Sequence, residues 1–141
     1  MNGFRFTYPI DVRFRDLDAL GHVNNAVYLT YVESARIAYW LEITGRAQLS
    51  GLDIILARTE IDYRSPVVYG ETLSVGLRIA SMRRSSFVME FQVEEARSGR
   101  LVAEGRKALV GYDYAEKRSR PLSEAVRRQI LTANPDCRQE T

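Results

Sequence analysis

Near the N-terminus, carboxylates, a histidine and asparagines lie within ten residues, directly before a long apolar pattern. The segment reads D-L-D-A-L-G-H-V-N-N over residues 16–25. An asparagine oxygen can accept from the N–H groups that a first helical turn leaves unpaired, so Asn24 or Asn25 is the expected N-cap. Those N–H groups and the helix dipole favour an anion or a polarised carbonyl oxygen. If the chain turns back at Gly21, Asp18 lies beside that spot and could act on a carbonyl carbon.

The same residues also fit an ordinary structural loop. Capped helices preceded by Asp and Asn are common. His22 is the only histidine of the chain, and a lone histidine is more often a satisfied loop or core residue than a catalyst. From these residues alone, both interpretations remain open.

An amphipathic helix is expected to follow the asparagines and to end at Gly45, a residue type that commonly follows the last turn. Apolar residues recur there at three- and four-residue spacing, which predicts one buried face. That face consists of Val27, Tyr28, Tyr31, Val32, Ala35, Ala38, Tyr39 and Leu41.

Length and composition favour one globular domain. The chain has 141 residues, of which 45% are hydrophobic and 27% charged, and its net charge of +2 is too small to indicate nucleic-acid binding. Cys137 is the only cysteine, so no internal disulfide is expected. No signal peptide or membrane span is recognisable, and we expect a soluble cytoplasmic protein. The domain is predicted over residues 1–133, with a flexible tail at 134–141.

Period-two alternation predicts five strands. It is strict over residues 4–14, where the even positions are expected to be buried and Pro9 indicates a bend or an edge position. It resumes after the helix, and the later strands are expected at residues 55–64, 72–79, 87–94 and 101–114, the last of them more central. Turns near 81–86 and 97–100 indicate hairpins. The predicted order is one strand, the long helix, then four strands as an antiparallel meander.

A short helix is expected after the last strand. Pro121 and Ser123 read as its cap. The inward residues of this helix are predicted to be Ala125, Val126, Ile130 and Leu131.

The sizes of these elements predict a curled sheet. Five strands of about ten residues form a sheet of roughly 24 Å by 33 Å. A helix of about 20 residues is roughly 30 Å long and 10 Å wide, so it covers only a stripe of a flat sheet. The sheet should therefore curl around the helix, and its open edge should pair with a second copy.

Basic residues cluster near strand ends and could serve a phosphorylated ligand, although solvated turns are the more ordinary interpretation of any single one. The clusters comprise Arg83, Arg84, Arg97, Arg100, Arg106, Lys107, Lys117, Arg118 and Arg120.

The segment over residues 16–36, together with I-D-Y-R-S-P at 61–66, resembles the hotdog-fold acyl-CoA thioesterases of the 4-hydroxybenzoyl-CoA thioesterase type. The similarity is most specific in D-x-x-G-H-V-N-N-x-x-Y and covers about residues 5–130 in order of elements. It implies an α+β hotdog fold, in which a curled antiparallel five-stranded sheet wraps around one long central helix. It also implies a homodimer or a dimer of dimers, an acyl-CoA substrate, and neither metal nor organic cofactor.

The resemblance also assigns roles to residues. Asp18 matches the aspartate that acts on the thioester carbonyl as nucleophile or general base, and the Asn25 backbone N–H matches the oxyanion contact. Histidine and asparagine follow the glycine where benzoyl-specific members tend to have apolar or aromatic residues, which favours a fatty-acyl substrate. Further expected substrate contacts are Gly21, Val23, Asn24 and Tyr28, with Arg64 and Arg84 at the CoA phosphates.

Two other functions fit the same pattern. A dehydratase of 3-hydroxyacyl thioesters would need a histidine base, and His22 is the candidate. A non-catalytic module that shelters an acyl thioester would need no base at all. Fold alone does not decide between them.

Overall fold

The structure is a computed structural model that describes residues 1–48 and 53–140. Its helices and strands are, in chain order, β1 (Phe6–Asp11), α1 (Val27–Thr44), β2 (Ile54–Tyr63), β3 (Thr72–Met82), β4 (Ser86–Glu95), β5 (Leu101–Asp113), β6 (Arg118–Ser119), α2 (Glu124–Ala133) and β7 (Arg138–Gln139). They form an α+β hotdog fold, as the sequence predicts, with a curled antiparallel sheet around α1. Neither helix in the described ranges is long and apolar enough to cross a membrane.

The order of the strands differs from the expected meander. The sheet runs β1-β3-β4-β5-β2, so only β3, β4 and β5 follow one another as a meander. Strand β2 pairs with β5, with Ile61 opposite Gly105, and not with β3. Alternation reports which face of a strand is buried but not which strand lies beside it, and this is why the partner of β2 was wrong. Pro9 does lie in an edge strand, where its missing N–H leaves no ladder bond unmade.

Helix α1 buries the predicted face against the sheet. Its buried residues are Tyr28, Tyr31, Val32, Ala35, Tyr39 and Trp40. The pattern missed Trp40, whose ring stacks on Phe87 with centroids 5.3 Å apart, whereas Val27, Ala38 and Leu41 are only partly buried. Removing each large side chain from water stabilises the fold by about 1.5–3 kcal/mol. Gly45 ends the helix in the left-handed conformation, as predicted.

The first strand is shorter than its pattern. Alternation extends over residues 4–14, but β1 covers Phe6–Asp11. Phe14 begins a short 3-10 turn and is 76% exposed, which corrects its expected burial. The turn forms because the Asp16 carboxylate accepts from the Arg13 backbone N–H at 3.0 Å, an interaction that a period-two pattern does not reveal.

The second helix follows the sequence closely. The Ser123 hydroxyl caps it by accepting from the Val126 N–H at 3.2 Å. Val126 and Ile130 are buried and Leu131 is partly buried, but Ala125 is exposed, contrary to prediction.

The segment after α2 packs against the sheet, which differs from the expected flexible tail. Asn134 is 8% exposed, and its Oδ1 accepts from the Ile79 N–H at 2.9 Å. Its amide also bonds the Tyr39 hydroxyl at 2.7 Å, and burial raises the pKa of Tyr39 to about 12. Strand β7 then pairs in parallel with the end of β3. One asparagine side chain thus takes the place of a strand partner between β1 and β7. The single-domain boundary at residue 133 stays a prediction.

We expect Gly105→Ala to destabilise the fold more than Gly76→Ala. A Cβ at position 105 would meet the Glu60 carbonyl oxygen of β2 and, at 2.7 Å, the Phe91 ring, so the strand pair would have to separate. At position 76 it would meet the side chains of Met1 and Phe4, which lie outside the sheet. Overpacking of this kind commonly costs about 1–3 kcal/mol. Urea unfolding of both variants measures the difference, and equal losses would contradict it.

Candidate active site

The loop before α1 folds back on itself at Gly21. Leu17 and Val23 form an isolated bridge, and the Asp18 N–H donates to the His22 carbonyl at 2.7 Å. The Gly21 N–H donates to the Asp18 carbonyl at 3.1 Å, and Gly21 has a φ of 80°. A side chain at this angle would be strained, so glycine suits the turn. The chain therefore turns back where the sequence predicts it.

One oxygen of Asp18 is used to hold its carboxylate in place. Oδ1 accepts from the Leu20 N–H at 2.8 Å and from the His22 N–H at 3.3 Å. The residue itself is exposed. Since the described contacts use Oδ1, Oδ2 is the atom that can meet a substrate or a water molecule. This carboxylate is therefore oriented and still accessible.

The first turn of α1 is capped differently from the prediction. The N-cap is Ala26, which has no side-chain oxygen, and neither Asn24 nor Asn25 takes that position. Asn24 nevertheless satisfies two N–H groups: its Oδ1 accepts from Ala26 at 2.9 Å and its carbonyl from Val27 at 2.9 Å. An Asx turn thus replaces the expected cap. Within the described ranges, no group accepts from the Asn25 N–H, which leaves that donor for a ligand.

Tyr63 holds the same turn from the sheet. Its hydroxyl donates to the Asn25 carbonyl at 2.8 Å. Its ring packs edge-on against Tyr28, with centroids 5.3 Å apart. Tyr28 is only 3% exposed, and burial is the main cause that raises its pKa. The sequence did not single out Tyr63 as a site residue, although the I-D-Y-R-S-P motif contains it.

Asp16 anchors the loop and is buried. Oδ2 accepts from the Tyr31 hydroxyl at 2.6 Å, and Oδ1 lies 3.2 Å from the Arg13 guanidinium. The Asp16 carbonyl accepts from the Asn24 N–H at 2.9 Å, which ties the two arms of the loop together. Burial alone would raise the pKa of Asp16, but the hydrogen bonds from Tyr31 and Arg13 outweigh it and lower that pKa. The two aspartates of the motif therefore differ: one is structural and the other accessible.

The remaining expected contacts fall into two groups. Val23 is buried, and its N–H donates to the Val67 carbonyl at 2.9 Å, while His22 bridges Val68. These contacts keep the loop on the segment that follows β2. Arg64 and Arg84 lie elsewhere, and the structure does not bring them into the loop.

Arg64 directly follows β2, and its Nε donates to Glu104 at 3.0 Å. Arg84 is exposed in the turn between β3 and β4. That turn is at the opposite end of β3 from the loop, about 33 Å away by strand length. Within one chain, Arg84 is therefore remote from Asp18.

No metal cluster is apparent among the residues that the structure describes: no three His, Cys, Asp or Glu side chains are placed to hold an ion.

Comparison with known proteins shows similarity to thioesterases in both sequence and structure. A family model described as the thioesterase-like superfamily matches residues 12–130. A thioesterase from Thermus thermophilus, solved with coenzyme A and Zn, is 41% identical with a TM-score of 0.85, and the match covers 96% of this chain and 98% of that one. The long-chain acyl-CoA thioesterase FadM of Escherichia coli (strain K12) is 26% identical over 86% of this chain and 93% of that protein. The Bacillus subtilis (strain 168) protein YsmA is 26% identical, and the match spans 60% of its length. These similarities support thioester hydrolase activity.

We expect Tyr31→Phe to destabilise the protein by about 1.5–3 kcal/mol at neutral pH, because the buried Asp16 carboxylate would lose a charge-assisted hydrogen bond. The bond lowers the pKa of Asp16 in the folded state. Its contribution is therefore complete above the unfolded pKa of about 4 and is lost as the pH falls through the folded value. Urea unfolding from pH 7 down to pH 3 should show the difference from wild type shrinking.

Tyr69→Phe is the matched control for this prediction, since Tyr69 is 60% exposed. It should change the free energy of unfolding by less than about 0.5 kcal/mol. A Tyr31→Phe effect as small as that of the control would contradict the anchoring role of Asp16.

Proposed function

We propose, since the chain belongs to the thioesterase-like superfamily, that it hydrolyses acyl-CoA thioesters with an aliphatic acyl group to the free acid and CoA. The proposal rests on the loop before α1, where hydrogen bonds to Oδ1 hold the Asp18 carboxylate and the Asn25 N–H has no acceptor among the described residues. The coenzyme A in the Thermus relative and the printed name of FadM support CoA as the carrier.

In the proposed mechanism, the thioester carbonyl oxygen accepts a hydrogen bond from the Asn25 N–H. The helix start is suited to this because its dipole and its unused donor stabilise the negative charge that develops on that oxygen. The Tyr63 hydroxyl donates to the Asn25 carbonyl and so helps to hold the Asn25 N–H in place. The polarised carbonyl carbon is then open to attack.

Asp18 acts either as a nucleophile or as a general base. Its Oδ2 attacks the carbonyl carbon, the C–S bond breaks with CoA leaving as the thiolate, and water hydrolyses the resulting anhydride. Alternatively, Oδ2 takes a proton from a water molecule whose oxygen attacks the same carbon, and the C–S bond then breaks as the CoA sulfur leaves and takes up that proton. Both routes yield the acid and CoA.

The other residues of the loop position the substrate. Gly21 allows the backbone to turn without a side chain that would narrow the entrance. Asn24 organises the donors of the first turn, and Val23 and Tyr28 form the buried wall behind it. Arg64 and Arg84 remain proposed contacts for the CoA phosphates, the second reachable only from another copy of the chain.

We propose a homodimer that pairs β2 edges. Strand β2 ends the sheet and has no neighbour on its outer side among the described strands. Ile55 and Leu56 on it are 37% and 41% exposed. An open, partly apolar edge of this length favours pairing with a second copy. The pairing would also place a second copy beside the space between α1 and β2.

The structure offers less support for the dehydratase alternative. A histidine base is normally oriented by a second group. No side chain within residues 1–48 and 53–140 hydrogen-bonds the His22 ring. A non-catalytic module would bind an acyl thioester at the same residues without hydrolysing it.

We expect Asp18→Asn to lower thioester hydrolysis by about 10²–10⁴-fold, because the amide can neither attack nor take a proton. Thiol release from acyl-CoA esters of several chain lengths measures it. Asp11→Asn, at the end of β1, is the control and should keep full activity. Enoyl absorbance with 3-hydroxyacyl-CoA would reveal a dehydratase, and ligand-induced stabilisation without turnover would reveal a binding module. Either result would replace the proposal.

Asn25→Pro should lower activity by about 10²–10³-fold, whereas Asn25→Ala should have little effect. Proline removes the backbone N–H, while alanine keeps it. Because the Asn24 carbonyl accepts from the Val27 N–H, position 25 is the second residue of a turn, where proline is well tolerated. The kcat of the two variants decides the matter. Equal losses would mean that the side chain, and not the backbone donor, matters.

A further inference from the structure

Lys107 is buried on the inner face of the sheet. It is 3% exposed, lies opposite Met89 of β4, and its ammonium is 3.3 Å from the Thr59 hydroxyl of β2. The sequence grouped it with basic residues that could meet phosphates, and this was wrong because Lys107 shares a face with Ala103 and Leu109, both fully buried. Burial is the main cause that lowers its pKa. The Lys107 ammonium is therefore removed from water, and its hydrogen-bond partner, the Thr59 hydroxyl, is uncharged.

Arg36 of α1 is the second cation at this place. It is close enough to Lys107 to lower the lysine pKa further, and burial lowers its own pKa. Its Nε is buried and, among the described residues, has no hydrogen-bond acceptor. The carboxylate acting on both is that of Glu33, which is exposed. Buried cations are costly unless an acceptor is close, and no carboxylate among the described residues hydrogen-bonds the Arg36 Nε or the Lys107 ammonium.

The cluster lies in line with the proposed active site. Arg36 follows Asn25 by eleven residues, which is about three full turns and roughly 16 Å along the same side of the helix. On β2, Tyr63 contacts Asn25 and Thr59 contacts Lys107, and these two residues are about 13 Å apart. Helix α1 and β2 therefore run side by side, with the proposed active site at one end and the cations near the middle of both elements.

We propose that the acyl group lies along α1 on the side that faces β2 and that Arg36 and Lys107 select acyl thioesters with a carboxylate at the far end of the chain. The inference rests on the proposed thioesterase function and specifies its substrate class. Arg36 is only partly buried and can be reached. Its planar guanidinium matches a carboxylate with two hydrogen bonds. Lys107, more deeply buried, adds positive charge beneath it.

The distance along α1 between Asn25 and Arg36 indicates the length of the acyl group. Helical side chains lean toward the N-terminus, so the Arg36 side chain extends back toward Asn25. With roughly 6 Å of the 16 Å taken by this side chain, about 10 Å remains, the length of an extended chain of roughly eight carbons. An eight-carbon acyl group with a terminal carboxylate is the matching probe.

The test compares suberyl-CoA, which carries that carboxylate, with octanoyl-CoA, which has the same chain length without it. We expect wild-type kcat/KM for suberyl-CoA to exceed that for octanoyl-CoA by at least about tenfold. Arg36→Met and Lys107→Met should each reduce this ratio about tenfold or more. Arg58→Met removes an equally charged but 73% exposed side chain from β2 and should leave the ratio unchanged. Arg36→Met provides the answer if Lys107→Met does not fold.

Three outcomes would overturn the inference. The first is a wild-type ratio of one or less. The second is a ratio that changes equally in Arg36→Met and Arg58→Met. The third is a dimer that dissociates in Arg36→Met while the ratio stays constant, which would assign the cations to a carboxylate of a second copy. If neither ester is hydrolysed, the proposed function fails, and calorimetric binding still decides: suberyl-CoA binding no tighter than octanoyl-CoA contradicts the inference.

Discussion

The buried carboxylate of Asp16 is the interaction on which the site depends. It accepts from the Tyr31 hydroxyl in the core, and the same residue binds the Asn24 N–H through its carbonyl. Loop, helix and core are therefore joined at one residue. Without this anchor, the accessible Asp18 would be carried on a loop with no fixed relation to the helix start, and a carboxylate acts on a carbonyl only when the two are held at contact distance. The stabilising hydrogen bonds to a charged group are also the ones that low pH removes.

The helix start shows how a donor is kept available in a chain that otherwise satisfies its backbone. Asn24 uses its side-chain and main-chain oxygens for Ala26 and Val27. Tyr63 occupies the Asn25 carbonyl. The Asn25 N–H is then the donor that no described residue takes. An unpaired N–H is costly when buried but not at an exposed helix start, where water or a substrate oxygen can accept from it.

Strand β2 contacts both the start of α1 and the buried Lys107. Its C-terminal end contacts the helix start through Tyr63, and its middle contacts Lys107 through Thr59. As an edge strand it is also the contact that we propose for a second copy. The proposed acyl site beside α1, the proposed dimer contact and the position of Lys107 thus depend on the same strand pairing with β5. A displacement of β2 would change all three together.

Local patterns in the sequence determined much of this structure. Alternation indicated the strands, three- and four-residue spacing indicated the buried face of α1, and Gly45 and Ser123 marked helix boundaries, since these signals depend on neighbours along the chain. The motif around Asp18 pointed to thioester chemistry for the same reason. Tertiary structure alone decided which strand pairs with β2 and that Asn134 completes the edge of β3. It also separated the structural Asp16 from the accessible Asp18. Each of these depends on a partner distant in sequence, and a residue's spacing from its neighbours carries no information about such a partner.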